Sequence, residues 1–121
     1  MNASPSGLRQ ADYLGHMLEA VRLVRGYTDG VGKADFLADK KTQQAVVLNI
    51  LVIGEAATKI ADEFPGLVAQ HPDVRWKDMR GMRNRMAHGY FDINLDIVWE
   101  TVQQSLPVLE LQLLDILKRA A

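Results

Sequence analysis

Three side chains in the stretch RNRMAHGY, residues 83–90, are of types that can act on a phosphodiester, Arg83, Asn84 and His88, and Tyr90 follows two positions after the histidine. Histidine titrates near neutrality and can take or give a proton. Arginine stays charged and matches a phosphate with its planar fork of donors. Together they form a minimal kit for cutting RNA without a metal. One group moves the 2′-hydroxyl proton, and the other stabilises negative charge on the phosphorus centre. Asn84 is suited to orienting the imidazole or donating to phosphate. At about 100° per residue, Asn84 and His88 share a helical face, whereas Arg83 lies about 140° around from His88. The arginine must either reach around the helix on its long stem or serve a site completed by another chain. His88 falls at the expected end of its helix, where the macrodipole favours positive charge. By spacing alone the signal is weak, because Arg-x4-His arises often by chance and a charge run is usually a solvated helix face. Tyr90 has an equally plain alternative, packing with Phe91 over the end of a helical bundle.

No other constellation competes. His16 and His71 are isolated, no serine stands in a Gly-x-Ser-x-Gly elbow, and the glycines form no phosphate-binding loop. No histidine has carboxylates at metal-ligand spacing, so neither metal nor cofactor is expected. The chain has no cysteine, which excludes a thiolate nucleophile and a disulfide scaffold and fits a reducing cytoplasm. Met79, Met82 and Met86 read as core or partner-facing packing. The net charge of −1 argues against a protein that coats nucleic acid through bulk positive charge. Residues 71–90, however, hold five basic residues (Arg75, Lys77, Arg80, Arg83 and Arg85) against Asp73 and Asp78, a local +3; the rest, with 9 basic and 13 acidic residues, is −4.

The elements that must position these groups are helical. Apolar residues recur at helical spacing, and no segment alternates with period two. A first helix is expected over Leu8–Tyr27, with Leu14, Met17, Val21 and Val24 on one face, stopping at Gly30 and Gly32. A short helical turn at DFLAD precedes a helix that Thr42 can cap. That helix carries the stripe Val46, Ile50, Ile53, Ala57, Ile60 and Phe64, and ends before Pro65-Gly66. GLVAQHPDVRW reads as irregular or as one turn. A fourth helix spans Trp76–His88, Gly89 ends it, and YFDIN connects it to the last helix. Asn94 is the expected N-cap there, Leu95, Val98, Val102, Leu106, Leu109, Leu113 and Ile116 form its seam, and Pro107 should kink it. The economical architecture is an all-α, antiparallel four-helix bundle with an additional short helix, one domain over residues 1–121 with residues 1–7 as a disordered tail. The start shows no signal peptide, and AVVLNILVIG is too short to span a bilayer, so a cytoplasmic protein without a membrane partner is expected.

The segment WKDMRGMRNRMAHGYFDINLDIVWETVQQSLPVLE resembles the signature region of the HepT-like branch of the HEPN superfamily, and FLADKKTQQAVVLNILVIGEAATKI resembles that family's third-helix region. The likeness covers about residues 10–115. Arg83, Asn84, His88 and Tyr90 match the family motif of arginine, a polar residue, three variable residues, histidine, one variable residue and tyrosine. Position 89 is glycine where an acidic residue is frequent, and position 92 is aspartate where glycine is common.

The resemblance implies a symmetric dimer whose two Arg/His motifs face each other, so that Arg83 of one chain works beside His88 of the other. It implies a metal-independent endoribonuclease, with Arg83 and His88 catalytic and Asn84 supporting, that serves as toxin in a type VII-like toxin–antitoxin module. It also implies an antitoxin partner, an MntA-like nucleotidyltransferase, that transfers AMP to Tyr90. The added charge and bulk would exclude RNA phosphate from the site. A different reading of the same residues is a non-catalytic HEPN binding module that partners a nucleotidyltransferase. Glu55 either faces the site or dimer seam, or lies on a solvated side of its helix.

Overall fold

The computed structural model describes residues 9–120 of the chain, so the expected tail at residues 1–7 and a helix start at Leu8 lie outside the described residues. Helix α1 (Gln10–Thr28) is followed by α2 (Lys33–Ala38), α3 (Lys40–Glu63), α4 (Pro65–Gln70) and α5 (Trp76–His88). A 3-10 turn (Tyr90–Asp92) leads to α6 (Leu95–Glu100), which continues through a π-helical turn (Thr101–Ser105) into α7 (Leu106–Ala120). No strand occurs among the described residues, and the fold is all-α, as the periodicity predicts.

Long-range contacts give the directions of the helices. Tyr13, early in α1, lies against Phe64 at the end of α3 (ring centroids 6.3 Å apart), so these two helices are antiparallel. Arg80 reaches Asp62 (2.6 Å) while Arg83 reaches Thr58 (3.1 Å), which sets α5 antiparallel to α3. Arg22, late in α1, meets Glu110, early in α7, at 3.2 Å. The core lies between these faces. Leu14, Met17, Val21 and Val24 of α1, Val46, Ile50, Ile53, Ala57 and Ile60 of α3, and Val98 through Ile116 of the last helix's stripe are buried as expected, while Leu95 and Phe64 at the stripe ends are half-buried. Each fully buried valine, leucine, isoleucine or methionine among them contributes about 1.5–3 kcal/mol by leaving water. Phe36 of α2 plugs the end of the bundle, its ring 5.2 Å from that of Trp99.

Several local readings are refined. Asp39, not Thr42, caps α3. Its carboxylate accepts from the Thr42 backbone N–H (3.2 Å) and from the Thr42 hydroxyl (2.6 Å), because an ionised acceptor outcompetes a hydroxyl and the helix begins three residues earlier. Pro65 stops α3 but then opens α4, where its missing N–H costs nothing at the first helical position; the region expected to be irregular thus holds a six-residue helix. Asn94 caps α6 as expected, accepting from the N–H groups of Asp96 (3.0 Å) and Ile97 (3.2 Å). Ahead of Pro107 the expected kink takes the form of the π-helical turn, in which the Leu106 N–H bonds to Thr101 O five residues back. The proline ring crowds the carbonyl one turn before it, and a shift from i−4 to i−5 bonding loosens the helix at that point. Gly30, with φ +73°, turns the chain out of α1 in a conformation that other residues rarely adopt.

By length and composition α3 could cross a membrane (24 residues, mean hydropathy 1.4), although 44% of its apolar window is buried against the rest of the bundle. That length goes beyond the short apolar run seen in the sequence, and the packing accounts for it as the central helix of the bundle.

Candidate active site

The motif occupies the last turns of α5 and the turn that follows. Trp76 anchors the start of the helix: it is buried, and its Nε1 donates to His71 O at 3.0 Å. Gly89 closes the end, its N–H bonding to Arg85 O at 2.8 Å. A Cβ at position 89 would lie 2.9 Å from that same carbonyl, so glycine lets the chain stop this tightly after His88, and a larger residue there would need a small shift of the turn.

Arg83 is fixed by α3. Its Nη2 donates to Thr58 Oγ1 at 3.1 Å, and its Nη1 lies 3.7 Å from Glu55 Oε1. The Thr58 hydroxyl in turn donates to Gly54 O at 2.8 Å. The helices touch closely enough to permit this because residue 54 has no side chain. A Cβ there would stand 2.4 Å from Arg83 Cβ and 2.8 Å from Met79 O. Arg83 is partly buried, its side chain 26% exposed, and its Nε is buried without a partner. With five donors on the guanidinium and only one hydrogen bond formed, the fork keeps capacity for an anion.

His88 is exposed at the end of α5, and no hydrogen bond or ion pair joins its imidazole to another described residue. Asn84 is also exposed and makes no hydrogen bond to His88, although the two share a face. Tyr90 begins the 3-10 turn directly after the helix; the placement of its side chain lies outside what the structure describes. Phe91, beside it, is 97% exposed. Within one chain, therefore, the arginine is tied to α3 while the histidine stands at the open end of the helix.

The local positive charge is largely committed. Arg75 pairs with Asp78 (2.8 Å), Arg80 with Asp62 (2.6 Å) and Arg83 with Glu55, leaving Lys77 and Arg85 without ion-pair partners among the described residues. Of the three motif methionines Met86 is buried, and Met79 and Met82 line a cavity between α3, α5 and the last helix. No group of three histidine or acidic side chains that could hold a metal occurs among the described residues. Sequence reasoning left Glu55 open and did not single out Thr58 or Gly54. Glu55 faces the arginine, and the only signal for the other two was their spacing: two small residues four apart mark a helix face that lets a neighbour approach.

Comparison with known proteins gives a consistent picture. The family model described as ribonuclease HepT-like matches residues 17–116. The chain is 38% identical over 99 residues to a probable ribonuclease HepT of Thermococcus cleftensis, covering 82% of this chain and 87% of that protein. It is 35% identical over 107 residues to a putative RNase of Caldanaerobacter subterraneus subsp. tengcongensis, covering 88% and 93%. A putative RNase of Methanocaldococcus jannaschii is 36% identical over 95 residues, covering 78% and 76%. No solved structure matches significantly.

Proposed function

Because this chain belongs to the ribonuclease HepT-like family, we propose that it is an endoribonuclease that cuts RNA without a metal, as the toxin of a type VII-like toxin–antitoxin module acting in the cytoplasm. The observation that carries the catalytic part is the asymmetric treatment of the two motif residues. Arg83 is locked by Thr58 and Glu55 with donors to spare, and His88 stands exposed and unengaged. In this reading His88 takes the proton of the 2′-hydroxyl. That oxygen attacks phosphorus, the bond to the 5′-oxygen breaks, and the products are a 2′,3′-cyclic phosphate and a 5′-hydroxyl end that has gained a proton. Arg83 stabilises the charge that builds on the phosphoryl oxygens. Asn84 assists by donating to phosphate, since it does not hold the imidazole within the chain.

The whole chain, 1–121, acts as one domain and as a symmetric dimer with a composite site. Leu48 (61% exposed), Val52 (38%) and Glu55 lie on one stripe of α3 at four- and three-residue steps, and the exposed Phe91 follows the motif. An apolar strip beside Arg83 and His88 favours covering by a second copy. The cognate partner is an MntA-like nucleotidyltransferase that attaches AMP to Tyr90, adding negative charge beside His88 and Arg83 and so blocking RNA phosphate. Intact mass of the protein made with that enzyme should show adducts of AMP, absent in Tyr90→Phe; adducts that persist in the variant would place the acceptor elsewhere.

The alternative, a non-catalytic module that partners the nucleotidyltransferase, is favoured by one observation: three of the five cations around the motif are already paired with carboxylates. Cleavage assays on the unmodified protein separate the two. The nuclease reading requires cleavage that survives EDTA and leaves cyclic phosphate ends, and co-purification with the partner but no cleavage would support the module.

A further inference from the structure

Arg85 differs from the arginines around it. Arg75, Arg80 and Arg83 each hold a carboxylate, whereas no hydrogen bond or ion pair joins the Arg85 guanidinium to another described residue. Lys77 is also without an ion pair, but it sits at the far end of α5 from His88. Arg85 precedes His88 by three positions and shares its face of the helix. Its side chain leans back toward the start of α5, as helical side chains do, and Nη1 comes to lie over Gly81, 3.6 Å from where a Cβ would stand. There it meets the cavity between α3, α5 and the last helix, about 470 Å³ in volume. The walls are apolar, with Ile53, Met79, Met82 and Leu109, and Gln104 and Gln112 bring amides to the edge. Of the two carboxylates that line it, Asp78 is paired with Arg75, and Asp73 accepts from the Gln112 amide at 3.4 Å and keeps its charge. Arg85 is the lining cation without a carboxylate partner among the described residues, about one helical turn from the histidine.

We propose that Arg85 is a positioning residue that grips a phosphate flanking the scissile one and leads a single RNA strand into this cavity, which takes an unstacked base. The proposal rests on the reading of His88 as a residue that acts on RNA. The fit is chemical. An apolar slot with polarizable sulfurs and a few amides suits a flat, polar-edged ring, and its volume lies in the range of small-molecule sites. Recognition of RNA in single strands works through bases splayed from the stack while the backbone is held by cations. A duplex would keep its bases out of such a slot.

The test is direct binding, read by fluorescence anisotropy with a short 2′-O-methyl single strand that cannot be cleaved, beside an abasic strand of the same length. Arg85→Gln should weaken both strands about tenfold and flatten the salt dependence by roughly 0.7 in log–log slope, the share of one phosphate contact. Arg85→Lys should restore the slope. Val108→Trp, at a half-exposed position on the cavity wall, should weaken the normal strand and leave the abasic strand unchanged. Unchanged affinity and slope in Arg85→Gln, with RNA binding by the unaltered protein intact, would overturn this inference and leave the nuclease reading standing. Equal loss for both strands in Val108→Trp would remove the cavity from it. No RNA binding by the unaltered protein would overturn both readings.

Discussion

Arg83 is the residue whose surroundings say most about its use. Thr58 supplies an acceptor to its Nη2, and Glu55 lies beside its Nη1, so the fork is oriented before any substrate arrives. Preorganised charge of this kind is what stabilises a developing oxyanion, and Arg83→Ala is expected to lower single-turnover cleavage by about 10²–10³-fold. Thr58→Val keeps the volume and removes the acceptor. Cleavage should fall by about tenfold while denaturant midpoints report a loss of about 1 kcal/mol, the net worth of a hydrogen bond. Undiminished cleavage would show that Thr58 does not orient the arginine. Arg83 and His88 could be singled out as candidates in the sequence because their types lie five positions apart in one helix, and the family motif they match gives the pair its proposed role. Thr58 was not, because it lies 25 positions from Arg83 in sequence and meets it only through helix packing. In the sequence Arg85 is one charge in a basic run, and only the pairing of its neighbours distinguishes it.

At the level of elements, the site depends on how closely α3 and α5 pack. Gly54→Ala should gain about 1 kcal/mol in helix propensity but lose more, because the new methyl would strike Arg83 Cβ and the Met79 carbonyl, neither a flexible end. Overpacking of this kind costs about 1–3 kcal/mol, so we expect net destabilisation in urea melts together with reduced cleavage as Arg83 is displaced. A variant at least as stable as the parent would contradict the close contact. Helix α7 is tied to α1 through Glu110, which accepts from Arg25 and Arg22. The hydrogen bond from Arg25, then that from Arg22, holds the Glu110 carboxyl below its ordinary value of 4.5. A folded value depressed in this way adds stability above the unfolded value, and that contribution is lost as pH falls through the folded one. Melting temperatures measured from neutral pH down to below 4.5 should therefore drop more steeply for the parent than for Glu110→Gln, and parallel curves would deny the linkage. Helix positions, the Asn94 cap and the core stripes were readable from periodicity. The cap of α3 falls on Asp39 instead of Thr42, and the kink at Pro107 takes π-helical form, since the choice between neighbouring acceptors and the form of a proline defect are settled by local geometry.

For the whole molecule, the angle between Arg83 and His88 is the leading clue. The structure leaves the arginine bound to α3 and the histidine exposed at the helix end, which suits a site shared by two chains. Leu48→Asp, on the exposed stripe of α3, should yield folded monomers by analytical ultracentrifugation and abolish cleavage; an active monomer would deny the composite site. Mixing Arg83→Ala with His88→Ala chains under conditions of exchange should restore about a quarter of parental activity, because half of the dimers would be mixed and each would hold one intact site. No recovery would place both residues in the same chain's site. The proposed pairing and the proposed partner enzyme could not be read from periodicity or packing, because both concern surfaces beyond the single chain. The most direct measurement is RNA cleavage by His88→Ala in the presence of EDTA, beside the unaltered protein and with the fold checked by circular dichroism. The account predicts that the unaltered protein cuts and leaves 2′,3′-cyclic phosphate ends while the folded variant does not cut at all. Cleavage by His88→Ala at the parental rate would contradict it.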